Sequence, residues 1–285
     1  MSDTISNWGK WGADDQRGTL NYITPEKVQR AAQLVKTGKV YPLAISLDAK
    51  GPLWPTRHKN WHIAEFFNLD GEGPGGSEDI LMIHTHGSTH VDALCHVFRD
   101  GTMYNGYAAA DAINSTGTRR NGIENIGGIV TRGVLLDVAA HHGVDTLAPD
   151  HIITPDEIQA VADAQGVSFE SGDAVLFRTG WLKVWNESQD RFNAMQPGPS
   201  LEAAHWAYEN EIAILAADNS AVEHHPIPEG MVIHQSFLRD QGGYLMELLN
   251  LDDLSNDKVY EFQFVVAPLN IKRGMGSPIT PLAIC

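Results

Sequence analysis

Short apolar runs alternate along the chain with segments that carry helix-start signals. Each apolar run is rich in β-branched or aromatic residues and is bounded by Gly, Asp or Pro, which is the usual pattern of β-strands. Six strands are predicted, over residues 40–47, 79–85, 133–138, 173–179, 211–217 and 260–269. This alternation of strands and helices predicts an α/β or α+β fold.

Three helices have clear starts. The first is predicted over residues 24–38, with a Thr cap and Pro in its first turn. The second, over residues 154–166, begins with a capping box in which Glu157 can reach back to the amide of the capping Thr, and it ends at a Gly. The third follows the capping Ser200 and leads directly into the strand predicted from residue 211.

The longest stretch without regular patterning covers residues 51–78 and is rich in Trp, Phe, Pro and Gly. Long ordered loops in compact domains are often functional. The chain has no internal repeat and no shift in composition that would indicate a linker. We therefore predict one domain over residues 1–285, with the aromatic loop near its functional site.

Composition and charge narrow the classes of partner. The chain is 42% apolar and 20% charged, with a formal charge of −16 and a pI near 5.1. Nucleic acids and anionic membranes need clustered Lys and Arg, whereas the longest basic cluster here is Arg119-Arg120. The chain has no signal-like apolar segment, no stretch near 18 apolar residues, and only two distant cysteines. We expect a cytoplasmic protein that acts on a small molecule, with neither nucleic acid nor membrane as a partner.

The segment HTHGSTHVDALCHVFRD concentrates the candidate chemistry. His86, His90 and Asp92 form the pattern H-x-x-x-H-x-D, and His96 extends it. First-row divalent metals bind imidazole nitrogens and carboxylate oxygens, and a bend between the two histidines would bring three such ligands together. Solvated loop histidines and packed core histidines are the alternatives, and His84 is interpreted either as a packing residue or as one that supports a metal ligand from behind. A set of His and Asp ligands predicts a site with open coordination positions rather than a closed structural zinc site.

Other titratable residues carry weaker signals. Glu247 lies in the apolar run YLMELLNL, where a carboxylate is costly unless it meets a cation or a donor. For His234 a ligand role and a packing role are equally open. The pairs His224-His225 and His141-His142 precede Pro and Gly respectively, and they are interpreted as surface turns.

Aromatic residues suggest how a flat substrate would bind. Trp54 and Phe66 lie in the loop before the histidine-rich segment and could stack on a ring. Trp181, after the predicted strand 173–179, is a weaker candidate that could equally be a packing residue. Arg178 is also a weaker candidate.

HTHGSTHVDALCH resembles the signature H-x-G-T-H-x-D-x-P-x-H of the cyclase family of metal-dependent hydrolases, which includes bacterial kynurenine formamidase and isatin hydrolase. The chain departs from it at Leu94, where the family has Pro, and at Ser88, where the family has Gly. Other segments also resemble family members, so that the likeness covers nearly the whole chain. They are residues 7–20 and 23–39, the Trp-Pro segment at 52–55, the strand and turn at 175–181, and His234 followed by 246–254.

The resemblance implies a role for each residue that matches the motif. It implies that His86, His90 and Asp92 hold the main metal ion and that His96 is the general acid/base. In members with two metals, the residues matching His234 and Glu247 hold a second ion, with Asp92 bridging. Isatin-hydrolase-like members use one manganese ion. The expected cofactor is thus Mn²⁺ or Zn²⁺, with one or two ions per chain.

The resemblance also implies an architecture and an assembly. The expected fold is a swivelling β/β/α domain with a mixed sheet and flanking helices. The expected assembly is a homodimer or homotetramer in which aromatic loops cross between subunits.

The predicted function combines the metal with a proton-transfer group. A divalent ion lowers the pKa of bound water and polarises a carbonyl, and an imidazole can transfer protons. We predict hydrolysis of a carbon–nitrogen bond in a small aromatic substrate, either an isatin-like lactam or an aryl formamide. The alternatives are a metal-dependent lyase, dehydratase or cyclase, and a binding protein without turnover. His96 speaks against the last of these, because a pure binding site has no need of an unligated histidine.

Overall fold

The computed structural model describes residues 5–226 and 231–285. In that part of the chain the strands are, in order, β1 (Val40–Pro42), β2 (Trp61–Phe67), β3 (Gly76–Met82), β4 (His90–Asp92), β5 (Ile113–Asn114), β6 (Gly117–Thr118), β7 (Ile129–Asp137), β8 (Ile152–Ile153), β9 (Ala174–Arg178), β10 (Gly198–Pro199), β11 (Ile214–Ala217), β12 (Tyr244–Glu247), β13 (Glu261–Val266), β14 (Gly276–Pro278) and β15 (Leu282–Ile284).

The helices are short and lie between the strands. They are α1 (Pro25–Ala32), α2 (Ala109–Ala112), α3 (Val138–His141), α4 (Pro155–Gln165), α5 (Leu182–Glu187), α6 (Gln189–Ala194), α7 (Leu201–Glu209) and α8 (Asp252–Asn256), with 3₁₀ turns at Gly18–Tyr22, Tyr104–Gly106 and Ile123–Asn125 and a π-helical turn at His234–Asp240. None of the helices in the described ranges is long and apolar enough to cross a bilayer.

Nine strands form one mixed sheet in the order β1-β15-β13-β7-β9-β11-β12-β4-β14. The central strands β7, β9, β11 and β12 are parallel to one another, whereas β13 and β4 join them on either side in antiparallel pairing. The parallel strands are buried at every residue except Val130, which is typical of a sheet whose two faces are covered by helices. The predicted α/β fold with a mixed sheet and flanking helices is confirmed.

The predicted strands correspond to the observed ones most closely at the buried centre. The strands predicted at 133–138, 173–179, 211–217 and 260–269 coincide with β7, β9, β11 and β13. Of residues 40–47, only Val40–Pro42 form a strand, with an isolated bridge from Ala44 to Leu249 beyond it. Long apolar runs predict the centre of a sheet well because burial on both faces dictates their composition.

The region of residues 51–85 differs from the prediction. It was expected to be an irregular loop followed by a strand, but β2 and β3 form a separate antiparallel hairpin in which Trp61 pairs with Met82 and Ile63 with Ile80. Every residue of β2 is exposed, and so is almost every residue of β3. An apolar run of four residues has the same composition in an exposed hairpin as in a core strand, so periodicity could not separate the two.

Helices α1, α4 and α7 begin where predicted, but the Ser200 hydroxyl makes no capping hydrogen bond at the start of α7, and two further details of the helices differ from the prediction. The Thr24 and Thr154 hydroxyls cap α1 and α4, and Gly166 ends α4 in the left-handed conformation. Helix α1 ends at Ala32, before the predicted 38, because the chain turns away and the Gly38 amide donates to the carbonyl of the last residue. The Glu157 carboxylate contacts two histidines instead of the Thr154 amide.

Candidate metal centre and adjoining cavity

Strand β4 lies between β12 and β14 and brings the first donors together. Its register pairs His90 with Glu247 on one side and Asp92 with Gly276 on the other. His90 Nε2 consequently lies 3.2 Å from Glu247 Oε2, although the two residues are far apart in sequence. Strand pairing thus explains how a carboxylate in an apolar run finds its partner.

A bend before β4 orients the two histidines of the motif. Ser88 has a positive φ of 58°, which is uncommon for a residue other than Gly and turns the chain between His86 and His90. The Ser88 carbonyl accepts a hydrogen bond of 2.9 Å from His90 Nδ1. Because this bond holds the proton on Nδ1, Nε2 of His90 presents its lone pair to the site.

Asp92 is the centre of the cluster. It is 0% exposed, and neither carboxylate oxygen has a hydrogen-bond donor among the described residues. Oδ1 lies 3.5 Å from His86 Nε2, whereas Oδ2 lies 3.5 Å from His234 Nε2. Burial alone would raise the pKa of Asp92, but the surrounding imidazoles, with His96 foremost, lower it below its usual range. A buried carboxylate without donors is costly unless it meets a cation, so this position fits a metal ion.

His234 begins the π-helical turn and is held from behind by Glu223. The buried Glu223 carboxylate accepts from His234 Nδ1 at 2.6 Å and from the Ile233 amide at 2.7 Å. Nε2 of His234 therefore points at Asp92 and lies 3.4 Å from Glu247 Oε1. Burial would lower the pKa of His234, but the carboxylates of Asp92, Glu223 and Glu247 around its ring raise it well above its usual value.

Two groups of donors share Asp92. One comprises His86, Asp92 and His96, and the other comprises Asp92, His234 and Glu247. Within each group the donor atoms lie within 4.8 Å of one another. Of the predicted ligands, His86, Asp92, His234 and Glu247 belong to these groups, whereas His90 belongs to neither, although its Nε2 lies 3.6 Å from Asp92 Oδ1. One carboxylate between two donor groups is compatible with one ion or with two.

His96 lies close enough to His86 and Asp92 to be a metal ligand itself. Its ring stacks on that of His86, with centroids 4.0 Å apart and an interplanar angle of 24°. Burial lowers the pKa of both rings, to about 3 for His86. Both imidazoles are therefore neutral near pH 7, which is the form that binds a metal or accepts a proton.

A cavity of about 370 Å³ opens beside these donors. Trp54 lines it, as predicted, and its ring lies 5.2 Å from that of His225 in an edge-to-face arrangement. His225 was expected in a surface turn, but it faces the cavity because its segment folds back against Trp54. Arg57 also lines the cavity and donates to the His86 carbonyl.

Phe66 and Trp181 are not among the described residues that line this cavity. Phe66 is 62% exposed on β2. Trp181 is 0% exposed and packs with Val184, Phe192 and Leu248, and its indole nitrogen donates to the Phe192 carbonyl. Within this chain Trp181 is a core residue, because the turn after β9 directs its ring under α5 and α6.

Two other residues, Arg178 and His84, have partners that suit structural roles. Arg178 pairs with Asp137 and Asp252. His84 is half-buried and accepts a hydrogen bond of 3.1 Å from the His58 amide, in keeping with a packing role.

Cys95 is a buried packing residue. It is almost completely enclosed, and burial raises the pKa of its thiol to about 12. The thiolate form is therefore negligible near neutral pH, so Cys95 is not a nucleophile.

Sequence reasoning missed Glu223 and Arg57. Neither residue has a motif-like spacing to the histidines. Glu223 contacts the site because the turn that begins at His234 packs against it. The signal available for Glu223 was a carboxylate directly after the apolar pair Ala221-Val222.

Residues 41–224 match the family model described as "Putative cyclase". A crystal structure described as a novel cyclase aligns with a TM-score of 0.92 at 33% identity and covers 98% of this chain and 99% of its own. The isatin hydrolase of Roseibium aggregatum is 25% identical over 234 residues, which are 78% of this chain and 80% of that protein.

A further crystal structure is similar to this chain in its fold. It is an isatin hydrolase bound to the product analogue thioisatinate, with a TM-score of 0.66 at 21% identity over 89% of this chain and 94% of that one. The matched family segment is more than half of the chain and contains β4 and its histidines. The histidine motif, the mixed sheet and these matches agree, and the chain belongs to the cyclase family.

Proposed function

We propose that this protein is a divalent-metal-dependent hydrolase that opens a carbon–nitrogen bond in a small aromatic cyclic amide of the isatin type. The observation that carries the proposal is the position of Asp92, a buried carboxylate without donors that lies between two groups of imidazole and carboxylate ligands. The distant relationship to isatin hydrolase supports the substrate class.

The chain's donors suit a divalent ion of the Mn²⁺ or Zn²⁺ type. In our proposal His86, His90 and Asp92 hold the main ion. His234 and Glu247 complete a second position, with Asp92 shared. When bound, such an ion lowers the pKa of coordinated water and polarises a carbonyl oxygen.

His96 is assigned the proton transfers. It lines the cavity beside the donors, and burial lowers its pKa, so its ring is unprotonated near pH 7. A neutral imidazole can take a proton from the attacking water and deliver it to the leaving nitrogen. Its stacking on His86 restricts the rotation of the ring, which keeps the proton acceptor in one orientation.

The cavity walls suit a flat ring that acquires a negative charge. Trp54 supplies an aromatic wall for stacking, and Met231 adds apolar surface. Opening of a lactam produces a carboxylate, and the Arg57 guanidinium in the same wall provides a cation for it. An aryl formamide is the related substrate class, since the same donors would serve its linear amide bond.

We further propose a homodimer or homotetramer. The β2–β3 hairpin exposes a set of large apolar side chains, namely Trp61, Ile63, Phe66, Phe67, Ile80, Leu81 and Met82. A two-stranded hairpin is marginally stable by itself, and an apolar patch of this kind usually marks an interface. Phe66 would then contribute to substrate binding from the neighbouring subunit. Light scattering of the wild type and of a Phe66→Ser, Phe67→Ser variant measures this, and an unchanged mass would count against it.

The decisive experiment combines metal content with product analysis. Untagged protein, Asp92→Ala and the exposed control Asp111→Ala are analysed for bound metal by elemental mass spectrometry and assayed with isatin in ¹⁸O-labelled water. We expect wild type and control to retain metal and to form a product with one added ¹⁸O, and Asp92→Ala to lose both. A metal-bound protein that converts its substrate without incorporating water would instead be a lyase or a cyclase.

A further inference from the structure

A second group of metal-type ligands lies outside the candidate centre and shares no residue with it. His142 follows α3, His151 precedes β8, and Glu157 is in the first turn of α4. Glu157 Oε1 lies 2.5 Å from His142 Nε2 and 3.0 Å from His151 Nε2. The two rings are 5.0 Å apart at an angle of 69°, so they approach the carboxylate from different directions.

The chemistry of these ligands is that of a zinc site. Two imidazole Nε2 atoms and one carboxylate are a common set of three protein ligands for Zn²⁺, with the fourth position left to water. The donor atoms lie within 4.8 Å of one another. Ligands of a tetrahedral zinc stand about 3.3 Å apart, given bonds of about 2.0–2.1 Å. The side chains therefore need to open by less than about 1 Å, which rotamer adjustment supplies.

The backbone holds all three residues in place before any ion binds. The Glu157 amide donates to the Thr154 hydroxyl, the His142 amide to the Val138 carbonyl and the His151 amide to the Ala148 carbonyl. A site whose backbone is already ordered loses little conformational entropy when it binds an ion.

Access and charge also favour a cation. His142 is 42% exposed and Glu157 is 14% exposed, so an ion can enter from solvent while the carboxylate stays partly shielded. Among the described residues, the ion pairs of Glu157 are with these two histidines and none is with Lys or Arg. Besides Glu157, the segment of residues 145–157 contains three Asp and no basic residue other than His151. The whole chain has a formal charge of −16, so the local potential attracts cations.

We propose that His142, His151 and Glu157 bind a Zn²⁺-type ion that joins the segment of residues 142–151 to the start of α4. This segment contacts the end of β9, since the Leu147 amide donates to the Thr179 carbonyl and the Thr146 hydroxyl to the Gly180 carbonyl. The site is separate from the candidate centre, because none of its three residues lines the described cavity there.

The test counts ions in the full chain. Metal-free wild type, His151→Ala, Glu157→Gln and the matched control His141→Ala are dialysed against micromolar Zn²⁺, and bound zinc is measured per chain. We expect wild type and His141→Ala to bind one ion more than the other two variants. This difference should persist when Asp92→Ala is added to every protein, which separates the result from the candidate centre.

Thermal unfolding provides the second measurement. Zn²⁺ should raise the melting temperature of the Asp92→Ala protein and should raise it less when His151→Ala is also present. Should one substitution prevent folding, His142→Ala removes a different ligand of the same site. Equal zinc content in wild type, His151→Ala, Glu157→Gln and His142→Ala would overturn the proposal and leave a hydrogen-bonded cluster.

Discussion

Glu223 Oε1 accepts a hydrogen bond of 2.6 Å from His234 Nδ1, and the opposite nitrogen of the same ring faces Asp92. Carboxylate–imidazole pairs of this kind fix the tautomer and the orientation of a metal-binding histidine. The role of Glu223 is thus to position His234.

The first prediction concerns this pair. Replacing Glu223 by Gln keeps the size of the side chain but removes its charge, and we expect metal affinity to fall by about 10–100-fold. Competition with a chelator measures this, with the exposed Glu202→Gln as the control. Unchanged affinity in Glu223→Gln would mean that the bond only supports the fold.

The second prediction concerns His96. His96→Ala should lower kcat by about 10²–10⁴-fold, because a general acid/base contributes about that much. Metal content should remain that of the wild type if His96 transfers protons. If zinc or manganese is lost together with activity, His96 is a ligand beside His86, as their stacking at 4.0 Å also permits.

The third prediction uses a glycine of β14. A Cβ at Gly276 would lie 2.5 Å from His86 Nε2, so Gly276→Ala must displace that ring. We expect loss of bound metal and of activity, while circular dichroism stays close to that of the wild type. Gly128→Ala is the control, since its Cβ would meet nothing within 4 Å. Full metal content in Gly276→Ala would argue against His86 as a ligand.

The fourth prediction separates two tryptophans. Trp181→Ala should destabilise the fold by about 3–5 kcal/mol, since it empties a closed cluster. Trp54→Ala should raise KM with a much smaller effect on stability, because its ring lines the cavity. Urea unfolding and steady-state kinetics of both variants measure the contrast. Similar losses of stability would assign Trp54 to the core as well.

The fifth prediction is a pH dependence at Asp218. This carboxylate is buried beneath the turn after β9 and accepts hydrogen bonds from Thr179 and Gly180. Burial raises its pKa from 3.8 to about 6. Between these two values the folded state holds a proton that the unfolded state releases, so the contribution of this group to stability falls as the pH rises from about 4 to about 6.

Asp218→Asn does not titrate and provides the reference for this effect. The free energy of unfolding of the wild type, relative to the variant, should decrease by about 3 kcal/mol across that pH window, which corresponds to a shift of about 2 pKa units. Urea unfolding at pH 4, 5, 6 and 7 measures the difference. A constant difference would mean that the hydrogen bonds from Thr179 and Gly180 keep the carboxylate charged.

The spacing of the histidine motif in the sequence was sufficient to predict that its donors lie close together in the candidate site. His86, His90 and Asp92 lie within seven positions, so one bend brings them together, and their chemical types alone predict a metal. The parallel strands were predictable for a similar reason, since burial on both faces leaves a continuous apolar run. Helix starts are equally local, as the Thr24 and Thr154 caps illustrate.

What the tertiary structure decided depends on contacts between distant parts of the chain. The register of β4 with β12 sets Glu247 beside His90, and the turn at His234 brings Glu223 behind that ring. The same applies to the aromatic residues. Trp54 faces the cavity and Trp181 enters the core, although both were plausible substrate contacts by composition. Residue type and spacing encode the local geometry, whereas the direction of a side chain depends on the packing of segments that are remote in sequence.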